Sequence, residues 1–244
     1  MVQKKLFIPM LCMLCFISNT IVGQTQLSSL NDFVQPVGNW VKANAVQMDV
    51  QNPETLIFKA DGDCFVNGVN GKAKYLVTKD SYQDIELKLE FMLPKGSNSG
   101  IYFQSRYEVQ LFDSWGVKDQ DLTFYDCAGI QQRYDDTRVE AEKSFEGYAP
   151  STNESKAPGE WQSLHVIFRA PKFNSNGEKI KNAQFDKVSL NDVVVHENII
   201  LSGPTKGTLS DVEVLSAPFR LQGGHGPVAF RNIRVNVLEQ SCPK

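Results

Sequence analysis

The 244-residue chain has only three histidines and no excess of positive charge; 25 Lys and Arg stand against 28 Asp and Glu, a formal net charge of −3. With no basic stripe along it, the sequence offers nucleic acid no electrostatic attraction. Helical periodicity of useful length is missing, as are a βαβ rhythm and an internal repeat, which excludes helix bundles, doubly wound α/β folds and solenoids. No cysteine spacing suits zinc. The apolar run from Leu6 to Phe16 is too short for a membrane span.

That run has another meaning. Lys4 and Lys5 precede it, and small or polar residues follow from Ser18 to Gly23. This is the layout of a secretion signal. Cleavage is expected after Gly23, so residues 1–23 read as a signal peptide, 24–39 as a lead segment and 40–240 as a single domain. The expected destination is outside the cytoplasm, periplasmic or at the cell surface, with no membrane span after signal removal. Three cysteines would remain, Cys64, Cys127 and Cys242. Their odd number leaves open one disulfide plus a free thiol, or buried free thiols.

What fills the chain is short β-type runs between turn residues. Ile85–Leu93 alternates apolar and charged residues, the pattern of a strand with one buried and one wet face. Further strands are expected at 55–60, 75–77, 100–104, 107–112, 161–169, 184–190, 193–195, 219–221 and 228–237. Asn191-Asp192 reads as a hairpin turn, and residues 138–145 as a short helix. Many strands at short spacing predict an all-β antiparallel sandwich, a jelly roll of two sheets. The polar stretch 131–157 is long for a loop and is expected at the rim of a site.

Three constellations carry chemistry. In Tyr107-Glu-Val-Gln-Leu-Phe-Asp113 the alternation of a strand sends Glu108 and Gln110 to one face. Asp113 is out of phase by one residue, and a β-bulge near Leu111-Phe112 is expected to bring it onto that face. Two acids around an amide resemble the strand of laminarinase-type retaining glycosidases, but a middle amide cannot tune its neighbours as a carboxylate does. The second constellation, Leu221-Gln-Gly-Gly-His-Gly-Pro-Val-Ala-Phe-Arg-Asn-Ile233, sets His225 in a glycine-rich loop and Arg231 at the start of a strand. His225 is either a titrating or metal-binding group or a turn cap; Arg231 faces either substrate or a carboxylate of the core. The third, Pro158-Gly-Glu-Trp161, offers a ring for a sugar face or for the core. Asn98-Ser-Gly-Ile-Tyr-Phe103 begins with a polar turn, Asn98 being a further substrate contact if it faces the same cleft. His165 and His196 lie in apolar strands and read as structural.

Taken in order, these motifs, with Ala170-Pro-Lys-Phe173 and Val188-Ser-Leu-Asn191, resemble the 3-keto-disaccharide hydrolase family over nearly all of the mature chain. The resemblance implies a concanavalin-like jelly roll, bacterial export and an oxidised glucoside or disaccharide as substrate. Here the usual hairpin Asn-Gly is Asn191-Asp192, and Gly224 stands where an acid often precedes the loop histidine. A ketone at C3 of a glucoside acidifies the C2 proton, so a base can remove it, the aglycone leaves C1, and water adds back. In this scheme Glu108 is base or acid, Asp113 the second titrating group, and Gln110 a partner for a hydroxyl or the C3 oxygen. His225 and Arg231 stabilise the enolate or return the proton; a divalent cation is the other possible electrophile. A non-catalytic carbohydrate-binding module and an ordinary retaining glycosidase are the alternatives.

Overall fold

The computed structural model describes residues 20–239. Most of the expected signal segment, and Cys242, lie outside them. The expected cleavage point falls within a described strand, Ile21–Leu27, which pairs antiparallel with Ala229–Leu238. The segment expected to lead into the domain is packed into it, since Leu27 and Phe33 are buried in the core.

Two sheets make the sandwich. The larger has nine strands. Its path runs Val193–Leu201, Ala183–Leu190, Trp161–Arg169, Ile85–Met92, Ala229–Leu238, Cys64–Val66, Val41–Met48, Leu56–Ala60, and the Ile21–Leu27 strand attaches to Ala229–Leu238. The smaller has four, in the order Leu76–Val77, Arg220–Leu221, Asn98–Phe103, Tyr107–Phe112. All their pairings are antiparallel. The jelly roll predicted from strand density is the observed fold.

Alternation decides which side chains meet between the sheets. Ile85, Leu87, Leu89 and Phe91 point into the core, as do Leu164, Val166 and Phe168 from the neighbouring strand. The small sheet answers with Ile101, Phe103, Tyr107, Val109, Leu111 and Leu221. Aromatic pairs stitch the layers together: Phe103 lies 5.2 Å from Phe168 and 5.3 Å from Phe185, and Tyr107 lies 5.4 Å from Phe168, centroid to centroid. Such contacts add to the burial of each ring, about 0.5–1.5 kcal/mol per pair.

Asn191 and Asp192 both have positive φ, 50° and 70°, as a type I′ hairpin turn demands. The helix expected at 138–145 is only a 3₁₀ turn, Glu140–Glu142, leading into a two-residue strand, Ser144–Phe145. The strands Val41–Met48 and Cys64–Val66 were not expected; Ala-Asn-Ala in the first and the shortness of the second hide their β character. Cys64 and Cys127 are buried free thiols.

Candidate active site

The small sheet has a second face, turned away from the core. Because side chains alternate, every other residue of its strands lands there: Asn98, Gly100 and Tyr102; Glu108 and Gln110; Arg220 and Gln222. The pairing register sets Tyr102 opposite Glu108, Gly100 opposite Gln110, and Arg220 opposite Tyr102. Asn98, Tyr102, Glu108, Gln110 and Gln222, with Tyr75, Tyr125, Gln131, Lys206, Gly207 and His225, line a cleft of about 220 Å³; Gly100 and Arg220 lie beneath its wall.

Glu108 is the centre of this cleft. It is only 4% exposed. Burial pushes its carboxyl up to about 8, against the opposing pull of a hydrogen bond from the Tyr102 hydroxyl and the charge of Arg220. The carboxyl leans diagonally across the neighbouring strand, where a Cβ at Gly100 would overlap Glu108 Oε1. Gly100 is therefore a space requirement of the acid. The Glu108 amide donates to Thr205 Oγ1 at 3.0 Å, and its carbonyl accepts from the Gln131 amide at 3.1 Å.

Arg220, 1% exposed, forms the floor. Its guanidinium carbon lies 4.3 Å from the Tyr75 ring centroid and 4.2 Å from that of Tyr102, and Nη2 donates to the Gly207 carbonyl. The cation thus holds the tyrosine that holds the acid. Four side-chain amides surround the carboxyl: Gln110 donates to Asn98 Oδ1 at 3.3 Å, Gln222 donates to the Tyr75 hydroxyl at 3.2 Å, and Gln131 is buried on the opposite wall. Gln222 Oε1 is buried without a protein partner. Tyr125, 47% exposed, offers an aromatic surface at the mouth.

His225 reaches the rim on a loop fixed from behind. The buried Asn67 side chain donates to the carbonyls of Gly223 at 2.9 Å and Gly226 at 2.8 Å, and accepts from the Val228 amide at 2.8 Å. Ser97 Oγ donates to the Pro227 carbonyl at 2.6 Å. Gly226 sits at φ 150°, and Gly71 presses so closely on it that a Cβ at Gly71 would overlap the Gly226 carbonyl.

Of the residues expected from sequence, Glu108, Gln110, Asn98 and His225 converge on this cleft. Asp113, Arg231 and Trp161 do not line it. The ladder between the two strands runs without a register shift from Asn98–Phe112 to Phe103–Tyr107, so the expected bulge is absent and Asp113 keeps its opposite phase. Asp113 instead ties the turn before the strand, accepting from the Gly96 amide at 2.8 Å. Arg231 lies on the outer face of the large sheet, paired with Glu90 at 2.6 Å and stacked over Trp161 at 4.0 Å. Trp161 covers a second apolar cluster of Val46, Leu56, Val66, Met92 and Ala229 on that face. His165 and His196 are structural: His165 meets Glu86 at 2.7 Å, and His196 contacts the Ala128 carbonyl at 3.0 Å, with burial lowering its imidazole to about 4.

Tyr102, Arg220 and Gln222 were missed although their signal was present. Tyr102 shares strand phase with Asn98 in its motif, Gln222 lies in the motif of His225, and Arg220 directly precedes it. Lys206, Tyr125 and Gln131 arrive on loops, where no local pattern marks them.

Residues 28–236 match the 3-keto-alpha-glucoside-1,2-lyase-like domain. The chain belongs to that family. A candidate glycosyl hydrolase from Parabacteroides distasonis is 22% identical, with a TM-score of 0.55 over 91% of this chain and 94% of its own. A second from the same organism is 15% identical, with a TM-score of 0.50 over 82% and 89%. At these identities the likeness establishes the fold they share with this lyase-like domain. No curated protein matches the chain.

For a divalent cation the donor set is thin. Among the described residues no three His, Cys, Asp or Glu side chains gather into a metal-holding group. Glu108 and His225 are the one carboxylate and the one imidazole on the cleft wall, and a site of protein ligands generally draws on three or more.

Proposed function

We propose that this protein is an exported enzyme that cleaves 3-keto-glycosides by eliminating the aglycone across C1 and C2 and then hydrating the product. One observation carries the reading: the cleft holds a single carboxyl, buried and raised to about 8, ringed by amides. Hydrolysis of an ordinary glycoside needs two carboxyl groups flanking the bond, about 5–10 Å apart. Elimination next to a ketone needs one group that can give and take a proton near neutral pH.

Glu108 fits that task. As carboxylate it takes the proton from C2, the electron pair forms the C1–C2 double bond in conjugation with the C3 carbonyl, and the glycosidic C1–O bond breaks. The leaving oxygen then receives a proton, and water adds across the double bond. Charge gathers on the C3 oxygen on the way, and the N–H groups of the surrounding amides, with the Lys206 ammonium, are the donors available to it. His225, exposed at the rim, is placed to exchange protons with solvent. Tyr125 supplies a surface for the apolar face of a sugar ring.

The test is incubation with 3-keto-trehalose or a 3-keto-aryl-glucoside, with and without added divalent ions. Release of the aglycone by the wild type, abolished in Glu108→Gln with the fold intact, is the expected result. Absence of release under both conditions overturns the reading, and saturable binding without turnover would make the cleft a carbohydrate-binding module. Export is checked by N-terminal sequencing of protein recovered from the producing cell, which should begin near residue 24.

A further inference from the structure

Tyr107–Phe112 is the last strand of the small sheet, so only one of its sides has a neighbouring strand of that sheet. Along a strand the peptide groups of alternate residues turn to opposite sides. Glu108 and Gln110 share a phase, and both turn theirs toward the open edge. Gln110 is held there by main chain alone, its amide donating to the Gly129 carbonyl and its carbonyl accepting from the Ala128 amide, each at 2.8 Å. Glu108 is held differently. Its carbonyl accepts from the Gln131 amide, but its own amide donates to a side chain, the Thr205 hydroxyl, at 3.0 Å.

Thr205 is 1% exposed and stands in for the missing strand. Its amide donates to the Arg106 carbonyl at 2.9 Å, and its hydroxyl donates to the same oxygen at 3.1 Å while accepting from Glu108. The side-chain oxygen thus does what the carbonyl of a paired strand would do. The segment is fixed beyond Thr205 as well. The Lys206 amide donates to the Gln132 carbonyl at 2.7 Å, and the Gly207 carbonyl accepts from Arg220. A tethered loop therefore grips the edge strand at the residue that bears the acid. Tyr102 and Arg220 act on the carboxyl itself; Thr205 acts on the main chain that carries it.

We propose that Thr205 is a positioning residue of the cleft, its hydroxyl replacing a strand carbonyl and thereby fixing where the Glu108 carboxyl stands. Its effect on turnover rests on reading the cleft as the site of C2 proton abstraction, where that place sets the distance the proton crosses. Loss of the hydroxyl then falls on the chemical step rather than on sugar binding.

The experiment uses a 3-keto-aryl-glucoside and compares wild type with Thr205→Val, which keeps the shape without the hydroxyl, and Thr205→Ser, which keeps the hydroxyl. Thr205→Val is expected to lower kcat about ten-fold with KM within about two-fold, because the rate is steep in the placement of the base. Thr205→Ser is expected to stay within about two-fold of wild type in both. If Thr205→Val does not fold by circular dichroism, Thr205→Ala takes its place under the same expectations. A hydroxyl-free variant that matches wild type, a loss confined to KM, or a Thr205→Ser that falls equally far overturns the proposal. If the wild type releases no aglycone, the reading of the cleft has failed, and the positioning role is read on the acid by carbon-13 NMR of glutamate-labelled protein, with Glu108→Gln assigning the signal. Thr205→Val is then expected to lower the Glu108 titration midpoint by about half a pH unit or more, as the loosened strand admits water, and Thr205→Ser to leave it in place. An unchanged midpoint in Thr205→Val overturns the proposal.

Discussion

A carboxyl that titrates near 8 costs the protein stability. In the unfolded chain Glu108 ionises near its ordinary value of 4.5, while in the fold it holds its proton to about 8. Between those values the unfolded state binds fewer protons, so this group's contribution falls as pH rises through that window. At about 1.36 kcal/mol per pH unit the penalty reaches roughly 3 kcal/mol at pH 7. Glu108→Gln, which removes the charge and keeps the shape, is expected to be stabilised by about that amount at pH 7 and by little at pH 4, as read by urea unfolding at the two pH values. Tyr102 acts through the acid it touches. Its hydrogen bond favours the carboxylate, so Tyr102→Phe is expected to move the ionisation limb of kcat/KM to higher pH. A pH profile that drops in height without shifting would leave Tyr102 a packing residue.

Among the elements, the pair of strands Asn98–Phe103 and Tyr107–Phe112 sets the site by register. The diagonal lean of Glu108 over Gly100 exists only because the ladder is unbroken and the glycine has no side chain. Gly100→Ala is expected to push the carboxyl out of place and lower kcat/KM by about a hundred-fold, since misplacement of about 1 Å costs on that order; circular dichroism should show the fold retained. The His225 loop depends on a different strand end. Asn67 meets two carbonyls and one amide of the loop, and Asn67→Ala would leave those groups unpaired at about 1–3 kcal/mol each for the ones that stay buried. Its expected signature is a lower midpoint of thermal unfolding, with kcat/KM falling as the loop loosens. The Glu108–Gln110 alternation was legible in the sequence because a strand's period is local. The expected bulge at Leu111-Phe112 failed because register is a property of two strands.

In the whole molecule, the sandwich has two outer faces with the core between them, and only that of the small sheet holds the cleft. Arg231 and Trp161 sit on the other, stacked on each other, with Arg231 ion-paired to Glu90. Arg231→Met is therefore expected to change kcat/KM by less than about two-fold. It should cost stability instead, because Glu90 loses its charged partner at a half-buried site and keeps only the Asn232 amide of the two side chains that bond it. A large loss of activity in a folded Arg231→Met would put the site elsewhere. Sequence separation gave no warning here: Arg231 lies six residues from His225, yet the chain crosses from one sheet to the other between them.

Composition and alternation by themselves determined the antiparallel sandwich, most of its strands, and the pairing of Glu108 with Gln110, because these follow from a chain's local period and its turn residues. The motif order was enough to suggest the family. Tertiary structure decided which acid lies in the cleft. On the chain Asp113 is one residue out of phase with Glu108, and the unbroken register leaves it so; the space over Gly100 and the buried Tyr102 and Arg220 complete the setting of Glu108. Desolvation depends on what covers a group from other strands, and a linear sequence does not contain that distance.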